Sequence, residues 1–553
     1  MRNDVKTRLL VLVGLLLPCL ALGQAQPTGA PPPATPPPST PAQPPAAQSQ
    51  APATPPPAGP LPTAPKPAAP PPAATTAPPA ATPPVIADAP KAAPEKANQA
   101  LFDEALQDYF GDHKEAAARK LFAFIEGTPP TDENHPWAQY FLARCYIDLG
   151  LRHAGAVYLA RVARERSNPQ VLPRTLEALR TLILVPHDEV LIDEQVFGSL
   201  DLGFLPDSVS DYANYEQGLV DLRVGNERWA NTHFSKLEDD SVEASRAKFA
   251  LLVTRLKKLE GKDVPDDMIA DFLALSNDDK LTEEARNEAR LAVARLRYER
   301  KDFEGALKAY EMVQLPSLDP GRATLYLEEA WTRYNLGQLR AAMGLLTTLD
   351  APSFREEFLP DKYILRALVY RDLCHYLPAK RAAKELTRRY AESLESIRER
   401  DDLTVDARLR AAASSHGSTK RAAKFLNSLN LEIELKSRYA GGFGERLFSQ
   451  TTKIYDLAYA EAERVYRQRL EEAVREEADK LLRAAEQVRL MEYEVGLKLY
   501  ERIKRGAKLV QPEKQQPIGE GQEAFRFDGE YWNDELRSYR VSIPSRCVEE
   551  GAL

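Results

Sequence analysis

Trp137-Ala138-Gln139-Tyr140-Phe141-Leu142-Ala143-Arg144-Cys145-Tyr146-Ile147-Asp148-Leu149-Gly150 reads as a helix that ends in a glycine, and a second helix follows through Gly155, Leu159 and Val162. A helix, a tight turn and a returning helix make one hairpin, which cannot bury its apolar face alone and needs neighbours. The turn mark recurs at Gly111, Gly150, Gly225, Gly261, Lys301, Gly337 and Cys374. Its interval of roughly 36–40 residues is the repeat length of stacked helical hairpins and not of an enzyme domain. The expected fold is all-α: αα-hairpins stacked into a superhelical solenoid over 97–400, connecting helices and a glycine hinge over 401–444, a long charged helix over 445–510, and a small aromatic-rich tail over 511–553.

The flanking residues agree between copies. Tyr212 to Leu237 places Gly218, Gly225, Ala230, Phe234 and Leu237 at matching offsets; a third copy has Ala294, Ala306 and Tyr310, and a fourth has Ala330, Gly337, Ala342 and Leu346. These motifs resemble the tetratricopeptide repeat, with Leu142 and Ala143 where that family has Leu-Gly, Tyr146 at its Tyr, Gly150 at the inter-helix turn and Gly155 at the small position of the second helix. The run from Cys374 to Ser393 is similar to the repeats of outer-membrane-assembly and cell-division-coordinating envelope proteins. The resemblance implies that the first helix of each hairpin lines a concave groove. Carried onto this chain, that groove holds Trp137, Tyr140, Arg144, Tyr212, Tyr215, Arg295, Tyr298, Trp331, Tyr334 and Arg371. Aromatics and arginine dominate protein contact energies, so an envelope protein or extended peptide is the implied ligand; the same residues packing between hairpins is the alternative.

Residues 1–23 have the parts of a secretory signal: basic Arg2, Lys6 and Arg8, an apolar run from Leu9 to Leu22, and the small-x-small site Ala21-Leu22-Gly23. The mature chain is expected to begin at Gln24, soluble in the periplasm of a Gram-negative envelope. The routes left to a membrane are an uncleaved signal and a lipid on Cys19, whose preceding Pro18 departs from the lipoprotein pattern. Residues 24–96 are almost wholly Pro, Ala, Thr, Ser and Gln, a disordered but extended spacer. It is either a plain leader or a tether whose PxxP-like runs suit aromatic grooves.

From Glu445 to Arg505 the chain has no proline and is dense in Glu, Arg, Lys, Ala and Leu, one long helix of about 90 Å. Val474, Ala478, Leu481, Ala485, Val488, Val495 and Leu499 form an irregular seam that packs back on the hairpins or pairs with a partner helix. The preceding Gly441-Gly442-Phe443-Gly444 lacks the context of a nucleotide loop and reads as a hinge. The aromatic run Phe525–Leu536 reads as an apolar plug on the last helices or a recognition tail, and Arg537–Ile543 alternates like a strand. Cys145 and Cys374 lie many repeats apart and cannot bridge, so both are expected as small buried residues. Cys547 is the candidate for an intermolecular disulfide.

Formal net charge −8 without a basic stripe argues against nucleic acid. The histidines stand singly, and no HExxH, CxxC, nucleophile elbow or phosphate loop occurs, so no catalytic residue, cofactor or metal is expected. His187-Asp188 opens a helix, where Asp is an ordinary cap. Two functions follow. One is a non-enzymatic periplasmic scaffold for protein–protein contacts in an envelope machine, such as motility, secretion or envelope assembly. The other is a peptidoglycan- or outer-membrane-assembly-associated binding protein. The whole combination is similar to envelope repeat proteins of myxobacteria, some of them from gliding-motility machinery.

Overall fold

The computed structural model describes residues 92–198, 205–259, 263–316, 319–399, 402–505, 530–531 and 536–547. The signal-like segment, the proline-rich stretch up to 91, Gly261 and most of the aromatic run Phe525–Leu536 lie outside the described residues. The described chain is all-α, with nineteen α-helices and no strand. No helix in it is long and apolar enough to cross a membrane.

Helix α1 (Ala92–Phe110) leads to α2 (Lys114–Gly127), α3 (His135–Asp148) and α4 (Arg152–Glu165), then α5 (Val171–Leu182) and a π-helical turn (Val190–Phe197). Next come α6 (Asp207–Arg223) with α7 (Glu227–Phe234), α8 (Val242–Lys257) with α9 (Asp266–Ser276), and α10 (Glu283–Glu299) with α11 (Phe303–Glu311). The pairs α12 (Gly321–Asn335) with α13 (Leu339–Thr348) and α14 (Pro360–Asp372) with α15 (Tyr376–Arg389) follow. Each helix buries one face: in α5, for instance, Val171, Leu172, Thr175, Leu176, Ala178, Leu179 and Leu182. A few starts carry side-chain caps, as where Thr282 accepts from the Ala285 amide and Asp302 from the Gly305 amide.

One turn is used six times. Asp112, Gly150, Gly225, Lys301, Gly337 and Cys374 all adopt left-handed backbone, with φ from 58° to 84°. After each, the next amide reaches back five residues to a helical carbonyl: His113 to Asp108, Leu151 to Tyr146, Asn226 to Asp221, Asp302 to Arg297, Gln338 to Arg333 and His375 to Tyr370, all at 2.8–2.9 Å. This bond closes a helix end by satisfying a carbonyl that has no partner within the helix. The first mark differs from expectation by one residue. Gly111 still donates to the Gln107 carbonyl at 2.8 Å just past the end of α1, and the left-handed residue is Asp112.

After α15 come α16 (Ala391–Glu399), α17 (Ala407–Ser414), α18 (Gly417–Lys436) and α19 (Ala440–Lys504), a span of 65 residues. Gly444, at φ 72° and ψ 168°, breaks α19 near its start, within the glycine run read as a hinge. The remainder of α19, about 90 Å long, serves two cores. Leu447, Ile454, Tyr455, Ala458 and Ala462 are buried with α2–α5. Leu470, Val474, Ala478, Leu481, Val488 and Val495 are buried with α14, α15 and α17, which puts the expected seam against the chain's own hairpins. The core over α8–α14 takes no buried residue from α19, and receives Leu536 from the tail instead.

Charged and polar pairs fix this long helix at intervals. Glu189 accepts from Arg421 of α18 at 2.8 Å and Arg469 of α19 at 2.7 Å. Burial alone raises the Glu189 carboxyl, yet the two guanidiniums win and hold it down at about 2. The Tyr146 and Thr451 hydroxyls share a hydrogen bond at 2.7 Å, and Glu432 accepts from the Tyr455 hydroxyl at 2.6 Å and the His153 amide at 2.9 Å.

Two sequence expectations are corrected here. Cys374 and Cys547 form an intramolecular disulfide, with Cα atoms 5.2 Å apart and a sequence separation of 173. The expectation that Cys374 is merely a small buried residue and that Cys547 pairs between chains failed because the tail runs back along the hairpins and delivers Cys547 to the Cys374 turn. Loop-closure entropy credits such a cross-link with up to about 5 kcal/mol. Cys145 is free and buried, and burial pushes its thiol up to about 12. The second correction concerns Arg537–Ile543, which alternates like a strand but pairs with none: Tyr539, Val541 and Ile543 face the core of α8–α14 while Ser538, Arg540 and Ser542 are exposed.

Candidate protein-interaction site

The groove residues inferred from the repeat pattern fall into separate groups. Trp137 and Tyr140 of α3 join Phe141, Tyr109 and Phe110 in a cluster of edge-on and stacked rings 5.2–6.1 Å apart. Arg174 sits 5.4 Å above the Trp137 ring, a cation–π contact, while Arg144 lies 3.9 Å from Asp148. Phe110, at the edge, is 74% exposed. Tyr212 is buried, edge-on to Phe197 at 5.4 Å, and Arg295 is buried in a two-pronged pair with Glu328 at 2.8 and 3.0 Å. These two offer no surface. Tyr215 is half-buried and tilts on Phe234 at 6.3 Å.

The remaining four are linked through contacts that run from hairpin to hairpin. The Tyr298 hydroxyl accepts from Asn335 at 2.8 Å, and Trp331 meets Tyr334 edge-on at 6.0 Å. The Tyr334 hydroxyl donates to Asp372 at 2.5 Å; Arg371 donates to Asp372 at 2.8 Å and reaches Glu494 of α19 at 3.4 Å. The two bonds between hairpins join residues 37 and 38 apart in sequence, one repeat in each case. Much of what these side chains offer is therefore already used in holding hairpin to hairpin.

Sequence reasoning passed over a second stripe on α19. Leu490, Tyr493, Leu497, Tyr500 and Ile503 are 47–72% exposed and follow at three- and four-residue spacing. On the opposite face Val488, Met491 and Val495 are buried. The end of this helix thus carries two apolar faces, of which one is covered. The signal was present in the sequence, but the seam through Val488, Val495 and Leu499 absorbed the reading.

A third site, also unanticipated, is the channel that the tail follows across α11–α15. The Thr348 hydroxyl donates to the Leu536 carbonyl, and Arg537 donates to Glu329 and to the Tyr310 carbonyl, both at 2.9 Å. The Val541 amide donates to the Arg340 carbonyl at 3.1 Å, the Arg546 amide to the Leu373 carbonyl at 3.0 Å, and His375 bonds the Pro544 carbonyl at 2.7 Å. A Cβ at Gly344 of α13 would fall on the Tyr539 carbonyl, so glycine is what lets the tail backbone pass.

Two buried or half-buried carboxylates beside His187 hold local structure. Asp188 accepts from the Leu191 amide at 3.0 Å as a cap of the π-helical turn, and Asp193 receives Arg223 at 2.7 Å. Among the described residues no three of His, Cys, Asp and Glu gather to hold a metal ion. No protein-family model matches the chain, and no curated protein matches it either.

Proposed function

We propose that the chain is a non-enzymatic scaffold of a bacterial cell envelope, a tetratricopeptide-like solenoid whose first and last hairpins are tied by one long helix. The six equivalent left-handed turns and the hydrogen bonds spanning one repeat support the solenoid. The observation that carries the scaffold reading is the exposed stripe Leu490, Tyr493, Leu497, Tyr500 and Ile503 on a helix whose other face is already buried. Apolar residues at that spacing take a partner helix, with each ring or leucine set between residues of the facing chain. Export to the periplasm is supported by the Cys374–Cys547 bond, because disulfides persist in oxidising compartments. The signal-like residues 1–23 point the same way. The partner is then an envelope protein of a motility, secretion or assembly machine.

The test is photo-crosslinking in living cells from Tyr493, Leu497 or Tyr500, with Arg475 on the solvated face as the control position. A discrete envelope protein captured from the stripe and absent from the control is the expected result. Equal capture of abundant bystanders from both removes this reading. Binding of the purified chain to isolated wall sacculi, with no protein captured, favours a peptidoglycan- or outer-membrane-assembly-associated role instead.

A further inference from the structure

We propose that the channel across α11–α15 is a binding site for extended peptides bearing an arginine followed by alternating apolar residues, and that residues 536–547 are a displaceable occupant latched there by the Cys374–Cys547 disulfide. The inference rests on the scaffold reading only in taking the competing ligand to be protein.

Glu329 is the strongest mark of a built site. Its side chain is fully buried, and Arg333 of the same helix, at 2.8 and 3.0 Å, holds one oxygen. The other oxygen receives Arg537 of the tail at 2.9 Å. A buried carboxylate oxygen that depends on a cation from outside the hairpins is costly when the cation leaves, and so selects for a ligand that brings one. The same guanidinium takes the Tyr310 carbonyl near the C-terminal end of α11, which also accepts from the Val313 amide at 3.1 Å. Beyond it the ligand is read as a strand is read. Side chains alternate between core and solvent, backbone bonds to Arg340, Leu373 and His375 hold any sequence, and the pockets for Leu536, Tyr539, Val541 and Ile543 choose among sequences. Gly344 keeps the floor of the channel low enough for a backbone to cross α13.

The latch sits at one of the repeated turns. Three of the six left-handed positions hold glycine and three hold a residue with a side chain, Asp112, Lys301 and, at φ 58°, Cys374. Its sulfur stands at the end of the channel and closes on Cys547. Opening the latch is a two-electron reduction by a dithiol donor. A donor thiolate attacks the half-buried Cys547 sulfur, and Cys374 leaves as a thiolate and takes up a proton. The donor's second thiol then resolves the mixed disulfide, releasing Cys547 as a thiol and the donor as a disulfide.

The experiment uses the full chain carrying Arg537→Glu and Cys547→Ser, which frees the tail, and a fluorescein-labelled peptide of residues 530–546 followed by anisotropy. Saturable binding to this variant, at least tenfold weaker binding to the oxidised native chain, and a further loss of at least tenfold on adding Gly344→Ala without a fall in melting temperature support the proposal. No saturable binding to a variant that is still helical, equal binding to the native chain, or indifference to Gly344→Ala overturns it. Should the double variant fail to fold, hydrogen exchange on Cys547→Ser alone decides. The Val541 and Arg546 amides should exchange at least tenfold faster than in the oxidised native chain while α11–α14 stay protected. Helices that loosen together with the tail mark it as core and overturn the proposal. Failure of crosslinking from α19 strikes the scaffold reading and leaves this channel standing.

Discussion

Hairpins α2–α4 are closed by a helix, whereas α11–α13 are closed by a strip of extended backbone, and the two closures use different chemistry. A helix arrives with its own amides and carbonyls satisfied, so α19 needs only side chains to dock: apolar residues from Leu447 to Ala462 and the buried Tyr146–Thr451 and Tyr455–Glu432 bonds. An extended segment arrives with every main-chain group unpaired. The tail's main chain accordingly borrows partners from helix ends and turns, at Thr348, Arg340, Leu373 and His375, and is fastened covalently at its far end. The first kind of closure is integral to the fold, and the second is separable from it.

Equivalent truncations in the two regions give the largest contrast. Leu481 of α19 and Leu536 of the tail are both buried. Leu481→Ala should cost about 2–5 kcal/mol of global stability by cavity formation. Leu536→Ala should lower the main melting transition by much less, because the tail can lift off before the hairpins melt; equal losses in chemical denaturation would erase the distinction.

Next in size is Glu189, clasped between α18 and α19. Its folded value of about 2 lies below the ordinary carboxylate value of 4.5, so its contribution is complete above about pH 4.5 and drains away as pH falls toward 2. That contribution amounts to about 3 kcal/mol. Glu189→Gln should therefore destabilise the chain at neutral pH and flatten the acid limb of its stability profile. A profile parallel to the native one would show that this carboxylate does not hold α19.

A smaller effect is expected for Tyr146→Phe. Thr451 keeps its bond to the Leu447 carbonyl at 2.7 Å, so the loss should be about 1 kcal/mol by denaturant titration. Smallest is the comparison of Cys374→Gly with Cys374→Ser, neither of which can form the disulfide. Glycine should be the more stable by about 1 kcal/mol at this left-handed turn. Equal melting temperatures would mean that the cysteine backbone is unstrained there.

The all-helical architecture was legible because it is written locally. Turn residues, apolar periodicity and a proline-free stretch declare themselves within a few residues of where they act. Even the one-residue displacement from Gly111 to Asp112 is a local matter of where the last helical bond falls. What escaped was set at long range. Glu189 meets Arg469 across 280 positions and Cys374 meets Cys547 across 173, and no periodicity carries that information. Tyr212 and Arg295 looked like contact residues by type, yet each is buried, the Tyr212 ring against Phe197 and the Arg295 guanidinium against Glu328 of the next hairpin.

Because α19 is a continuous helix seated in one core through Ala462 and in another from Leu470 onward, it fixes the phase between them. Each residue of a helix advances about 1.5 Å and turns about 100°. One residue inserted between those seats would aim the second half sideways, and four would bring it back within about 40° but push it about 6 Å along. The length of that short interval is thereby specified as tightly as any side chain in either core.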